Sequence, residues 1–534
     1  MPEESVPSKG FERHAVTVTL LTAVSRAGGL IREAVFGRLV GLTDAASAFG
    51  FAFLVPNLFR RLFGEGALSA ALIPELAKIE TEHPGAAQRL AAITLARVTA
   101  LLAVVVVIAE IVLLLIPVVG NGLHPGLRLL TITLPYMPLV CLAALAGAVL
   151  QVRGRFGPAA AMPIVLNASL VVAVFLAWVL GEGPVGMHRI WIVAGGVVVA
   201  GIIQAGWAVV MVRRTQPAGA VMPQDHELAK RSFRRVLVQA LPMVFGLGVL
   251  QLNTFLDGLI ASWPTVVGHT ILGHPYPLDE TAMATLGYAS RLYEFPLGVF
   301  GIAVATAIFP QLSREAGETD VFMATLRRGL RLAFFIGLPA SVGIALIREP
   351  FAAVVYQGLA FNAQDAQKVA VVLLAYSVAI WSYSLNQVLV RAFYARQEPM
   401  TPVRVGMVVV VLNLGLNLAL VFGTSLGVAG LAWSTATCAI VQTAALGVIL
   451  ARRTGPIFSR EFGSSIVRTL GASAAMGVLV SLVAAALPLW DSWAGQLGRL
   501  AILVACGVVS YVAITALMGM HELRWSLGRA VGRR

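Results

Sequence analysis

Runs of about 20 apolar residues, the length a helix needs to cross a hydrocarbon core of ~30 Å, recur along the whole sequence. They lie near 14–40, 47–77, 89–117, 127–150, 157–181, 187–212, 233–263, 281–312, 323–348, 366–394, 402–422, 425–451, 465–488 and 497–519. A chain written this way has few options. Lipid offers no partner to a backbone N–H or C=O, so each run must close its own hydrogen bonds as a helix. The fold class is therefore an all-α membrane protein of about 14 transmembrane helices. Composition agrees: of 534 residues only 12% are charged, against about 25% in soluble domains.

The net charge of +13 does not point to nucleic acid, because the basic residues punctuate apolar runs and form no basic tract. They fall instead in alternate loops. One set holds Lys78, Arg89, Arg153, Arg155, Arg213, Arg214, Lys230, Arg231, Arg314, Arg327, Arg328, Arg396, Arg404, Arg452, Arg453 and the arginines of the tail. The other loops are nearly bare. The positive-inside rule then places both termini in the cytoplasm, which requires an even number of spans. The polar start, with Glu3, Glu4 and Glu12, is unlike a cleavable signal peptide. Cys141, Cys438 and Cys506 are scattered in apolar runs without metal spacing, so packing is their expected role.

A weak internal repeat divides the chain. Span two ends Ala71-Leu72-Ile73-Pro74-Glu75-Leu76-Ala77-Lys78, and span eight ends Ala307-Ile308-Phe309-Pro310-Gln311-Leu312-Ser313-Arg314. Pairing span two with span eight makes the repeat unit six spans long in parallel orientation, an arrangement that places a substrate site between two lobes. The expected domains are an N-lobe over 1–230, a C-lobe over 231–452, and spans thirteen and fourteen with a basic tail over 453–534.

Spans one, two, seven, eight and ten are less uniformly apolar than the others. Arg26 and Arg32 lie in span one, Arg60 and Arg61 in span two, and Arg291 in span eight. A guanidinium at bilayer depth costs at least ~2.5 kcal/mol, so it should face protein or water. Arg26 and Arg32 sit about 9 Å apart along a helix and about 120° apart around it. Guanidinium groups grip phosphate bidentately and stay charged when desolvated, so a diphosphate is a natural ligand for Arg26, Arg32, Arg60 and Arg291, with Glu65 nearby. The bland alternative is that Glu33, Glu65, Asp257 and Glu294 neutralise them. Arg61, Arg38 and Arg391 are read as structural or interfacial.

Asp257 in span seven, with Asn413 and Asn417 one turn apart in span eleven and Ser434 and Thr435 in span twelve, offers oxygens suited to a hard cation. Interhelical hydrogen bonding is the competing account of the Asn pair. No P-loop, metal cluster or acid–base pair is evident, so no enzyme is expected.

Several of these segments resemble the MurJ (MviN) family of the MOP transporter superfamily. They are Ser25-Arg26 through Ile31-Arg32, Ala52-Phe53-Leu54-Val55-Pro56-Asn57-Leu58-Phe59-Arg60-Arg61-Leu62-Phe63-Gly64-Glu65-Gly66-Ala67, Arg291-Leu292-Tyr293-Glu294-Phe295-Pro296-Leu297-Gly298-Val299, and Phe393-Tyr394-Ala395-Arg396-Gln397 with Thr401-Pro402. The resemblance implies a two-lobe, V-shaped, alternating-access fold with a lipid-tail groove at spans thirteen and fourteen. It implies a lipid II flippase for cell-wall synthesis in the bacterial inner membrane, whose headgroup site maps to Arg26, Arg32, Arg60, Glu65 and Arg291. The partner implied is undecaprenyl-diphosphate-linked muropeptide, with membrane lipids and candidate cell-wall synthesis proteins around it. No organic cofactor is expected; Na+, H+ or the membrane potential is the expected energy source. The sequence departs from the family pattern at Glu33, where Asp is usual, and at Ser47, where an aspartate is usual, with Asp44 close by. The alternatives are export of another lipid-linked saccharide, drug efflux of the MATE type, which would favour an acidic cavity, and a non-transporting cell-envelope scaffold.

Overall fold

A computed structural model describes residues 9–64, 66–119, 123–216, 222–297, 302–488 and 492–526. Span one is α1 (Lys9–Val40). Span two is α2 (Asp44–Phe59), a π-turn at Arg60–Gly64, and α3 (Ala67–Glu82). Then come α4 (Pro84–Val119), the broken span α5 (Pro125–Thr133) with α6 (Tyr136–Val152), α7 (Phe156–Val179), α8 (Ile190–Arg214) and the long α9 (Pro223–Val266). A small hairpin, β1 (Thr270–Ile271) and β2 (His274–Pro275), leads to α10 (Ala282–Pro296) and α11 (Ile302–Arg314). The remainder is α12 (Thr319–Tyr356), α13 (Ala363–Ser377), α14 (Ile380–Ala395), α15 (Met400–Gly423), α16 (Val428–Thr454), α17 (Arg460–Ala486), α18 (Trp493–Leu517) and the short α19 (His521–Ser526).

The protein is a multi-pass helical membrane protein. Nine described helical spans are long and apolar enough to cross a bilayer, and α13 with α14, bent by 43°, makes a tenth. Spans one, two, seven and eight fall outside that set. With the bent tenth, they are the spans that the sequence marks as less apolar. Helices that carry charge or breaks cannot face lipid along their whole length.

The chain divides into two compact units, residues 1–284 with 358–360, and residues 285–357 with 361–534. In the first, α1 packs along α7, α6 along α8, and α9 against α3 and α4, so the span that follows the basic loop packs with the spans before it. In the second, α12 is central and touches α13, α14, α17 and α18. Small residues allow the closest approaches: a Cβ on Gly337 of α12 would lie 2.9 Å from the Trp381 backbone of α14. The second unit's core joins Phe322, Leu326, Leu330, Phe393, Leu446 and Leu450.

Proline sets where the helices bend, and hydroxyls repair what proline breaks. A proline lacks the N–H that would bond to the carbonyl four residues earlier. Pro56, Pro264 and Pro339 thereby release the carbonyls of Ala52, Ile260 and Phe335. The Thr133 hydroxyl donates to Ala52 at 2.6 Å, Tyr276 to Ile260 at 2.9 Å and Tyr511 to Phe335 at 2.6 Å. Burial pushes the Tyr276 hydroxyl up to about 12; its ring stacks on Trp263.

The two units share local devices. Span four breaks between Thr133 and Tyr136, span ten between Ser377 and Ile380. Both then end in the same left-handed cap. Gly154 (φ 71°) sits where Arg155 N–H reaches Leu150 O at 2.7 Å; Gln397 (φ 58°) sits where Glu398 N–H reaches Phe393 O at 2.9 Å. Pro74 lies within α3 and Pro310 within α11.

Candidate functional site

The arginines of the first unit are set by breaks in their own helices and by amides from neighbours. In span two, the chain loses the Pro56 N–H, and the Arg60 N–H bonds to both Asn57 O and Pro56 O as the helix widens into the π-turn. Such one-turn π segments frequently occur at functional sites. At this point Asn57 Oδ1 accepts from Arg60 Nε at 3.1 Å and from Nη2 at 2.8 Å. The amide fixes the guanidinium's direction. Arg61, on another face of the same turn, donates to Gln251 Oε1 of α9 at 2.9 Å. It ties span two to span seven. Glu65 lies outside the described residues.

In span one, Arg26 is exposed. Arg32 is largely buried and is ion-paired with Glu33. Arg32 Nη1 also donates to Asn167 Oδ1 of α7 at 3.1 Å, and Asn167 Nδ2 donates to the Ser25 carbonyl at 3.1 Å. Glu33, a departure from the family pattern, is therefore the ion-pair partner of Arg32. Ser47, the other departure, is fully buried, and its Oγ accepts from the Ala284 N–H at 3.0 Å, within the first turn of α10. A first-turn amide has no acceptor inside its own helix, and the serine supplies one. Asp44 is occupied at the start of α2, where its Oδ1 accepts from Ala45 N–H at 2.7 Å.

In the second unit, Arg291 Nη1 meets Glu294 Oε2 at 2.9 Å, one turn along α10, with both side chains partly exposed. Pairs of this kind are worth about 0–1 kcal/mol, so Glu294 steers Arg291 more than it locks it.

Four of the cation candidates also come together. Asn413 Nδ2 donates to Ser434 Oγ at 3.1 Å and to Thr435 Oγ1 at 3.5 Å, Asn417 Nδ2 to Asn413 Oδ1 at 3.1 Å, and Ser434 Oγ to the Asn413 carbonyl at 3.1 Å. Asn413, Asn417 and Ser434 are fully buried. These bonds join α15 to α16, the competing account of the Asn pair. The oxygens would suit a hard cation; those of Ser434, Thr435 and Asn413 accept from amides within the cluster. Asp257 is buried in α9 of the first unit. Among the described residues no three His, Cys, Asp or Glu side chains converge as a metal site.

Sequence reasoning missed Asn167 and gave Asn57 no role. The available signal was a lone amide within the otherwise apolar span five, and a second one three residues before an arginine.

Comparisons with known proteins bear on the family and the fold. The family model described as "Lipid II flippase MurJ" matches residues 36–493. The "Probable lipid II flippase MurJ" of Vibrio cholerae serotype O1 is 30% identical over 97% of this chain and 98% of its own. The "Lipid II flippase MurJ" of Burkholderia cenocepacia is 28% identical over 93% of this chain and 95% of its own. Among solved structures, a lipid II flippase MurJ in an inward closed conformation superposes with a TM-score of 0.75 at 22% identity, covering 94% of this chain and 98% of its own. An inward-facing MATE-family multidrug transporter of the MOP superfamily gives 0.60 at 12% identity, covering 84% and 98%. A family match over most of the chain and a near-full-length relative leave one assignment: the chain belongs to the MurJ lipid II flippase family, a family of transporters.

Proposed function

We propose that this protein carries lipid II from the cytoplasmic to the outer leaflet of the bacterial inner membrane, with both termini in the cytoplasm. Arg26, Arg32, Arg60 and Arg291 are proposed to bind the diphosphate, and Glu65 is proposed to contribute to the same headgroup site. The observation that carries the assignment of residues is the guanidinium of Arg60, held within a membrane span by the neutral Asn57. That geometry sets the direction of a guanidinium, the group that grips phosphate bidentately. The chain shows no nucleotide-binding motif. One charge moved through 100 mV is worth ~2.3 kcal/mol, so the membrane potential could drive an anionic headgroup outward. Coupling to Na+ or H+ through Asp257, Asn413, Asn417 and Thr435 is a further part of the proposal.

The test is complementation of a strain depleted of its own flippase. Arg26→Ala, Arg60→Ala and Arg291→Ala should insert normally, fail to rescue growth, and leave lipid II accumulating on the cytoplasmic face. Full rescue by these variants would overturn the reading.

A further inference from the structure

Asn167 occupies a position that no anion-binding argument by itself predicts. It lies within α7, is 7% exposed, and uses both ends of its amide on α1. Its Oδ1 accepts from Arg32 Nη1 at 3.1 Å, and its Nδ2 donates to the Ser25 carbonyl at 3.1 Å. Ser25 and Arg32 are about two turns apart on one helix, so one amide spans the stretch that also holds Arg26. Gly28 and Gly29 lie beneath it; a Cβ at either would only just touch Nδ2, at 3.6 and 3.7 Å.

We infer that Asn167 is a positioning residue for substrate, acting through Arg32: it fixes the direction of that guanidinium toward the diphosphate. The inference rests on the headgroup role of Arg32 proposed above. An amide suits the task for two reasons. It satisfies both a donor and an acceptor at a buried position, where an unmet polar group costs about 1–3 kcal/mol. It also adds no charge. Arg32 and Glu33 already cancel in formal charge, so a carboxylate at 167 would leave the group at a net −1, facing an anionic ligand. Residue 167 thus couples the α1–α7 interface, the most extensive in the first unit, to the charge of the proposed site.

A double-mutant cycle tests this. Binding of purified lipid II is measured for the wild type, Asn167→Ala, Arg32→Ala and the double variant, with melting temperature recorded for each. Asn167→Asp, nearly the same size, is carried in parallel in both backgrounds in case the alanine variant fails to fold. If Asn167 acts through Arg32, Asn167→Ala should weaken binding about fivefold with Arg32 present and less than about twofold without it, the non-additivity expected of coupled neighbours. Asn167→Asp should weaken binding more than Asn167→Ala when Arg32 is present. Equal losses in both backgrounds would mean a packing role only and would overturn the inference. Unchanged binding by Arg32→Ala alone would overturn the headgroup reading, and this inference with it.

Discussion

Two sets of arginines in this molecule are oriented by different partners. At the end of the second unit, Arg331 of α12 reaches Glu522 of α19 at 2.7 Å and Glu461 of α17 at 3.4 Å, and Ser465 donates to the same Glu522 oxygen at 2.7 Å. The Glu522 side chain is 2% exposed, and Trp525 lies under both Arg328 and Arg331. In the first unit, Arg60 is aimed by Asn57 and Arg32 by Asn167. A carboxylate orients a guanidinium and cancels it; an amide only orients it. The first arrangement makes a lock that fastens the last helix to the bundle. The second sets the direction of a guanidinium inside a membrane span, where such a group is expensive to bury. Arg32, which has Glu33 as well as Asn167, stands between the two, and Arg291 with Glu294 is a looser version of the pair.

The comparison can be broken at several points. The largest effect is expected for Arg60→Ala, which should abolish lipid II translocation while leaving melting temperature close to wild type; Arg331→Ala should do the reverse. Next, Asn57→Asp should place a negative charge directly against the Arg60 guanidinium. It is expected to reduce translocation by at least about tenfold, since a close opposite charge of this kind is worth a kilocalorie or more at low dielectric, and to leave insertion unchanged. Removing one partner of the buried pair, by Glu522→Ala, should cost about 3 kcal/mol of local stability, seen as release of Trp525 by fluorescence.

The same pair predicts a pH response. Burial raises the Glu522 carboxyl, but the hydrogen bonds from Ser465, its own backbone N–H and Arg331 outweigh it and hold it below its usual value of 4.5. A carboxyl lowered in the folded state contributes its full stability above 4.5 and loses it as pH falls through the lower, docked value. Trp525 fluorescence should therefore be constant above about pH 5 and change below pH 4.5. The smallest effect is expected for Tyr511→Phe, which removes one hydroxyl from the carbonyl freed by Pro339 and should cost about 1 kcal/mol, read as a modest fall in melting temperature with translocation intact.

Much of the fold is legible in the sequence because it depends on composition within one span. Arginines and glycines lower a span's mean hydropathy, so residue types alone pick out spans one, two, seven, eight and ten, and Arg26, Arg32, Arg60 and Arg291 with them. What residue types do not reveal is what each side chain touches. Asn167 is 135 residues from Arg32, and an Asn in a membrane helix more often signals an interhelical hydrogen bond; here the bond it makes happens to include an arginine. Pro56, Pro264 and Pro339 announce bends, but not that Thr133, Tyr276 and Tyr511 satisfy the carbonyls they free, since those hydroxyls come from elsewhere in the chain. The lack of an aspartate at Ser47 raises a question about the family's acidic residues. The fold gives that serine a task at the start of α10, where a hydroxyl is sufficient.

Arg60, oriented by Asn57, is proposed to bind the substrate, and Arg331, paired with Glu522, to hold the fold. This central claim is tested most directly by measuring lipid II exposure on the outer face of cells whose only flippase carries either Arg60→Ala or Arg331→Ala. The account predicts that Arg60→Ala leaves lipid II on the cytoplasmic side, while Arg331→Ala, once inserted, still moves it. Transport surviving Arg60→Ala, with the protein at wild-type level in the membrane, would contradict it.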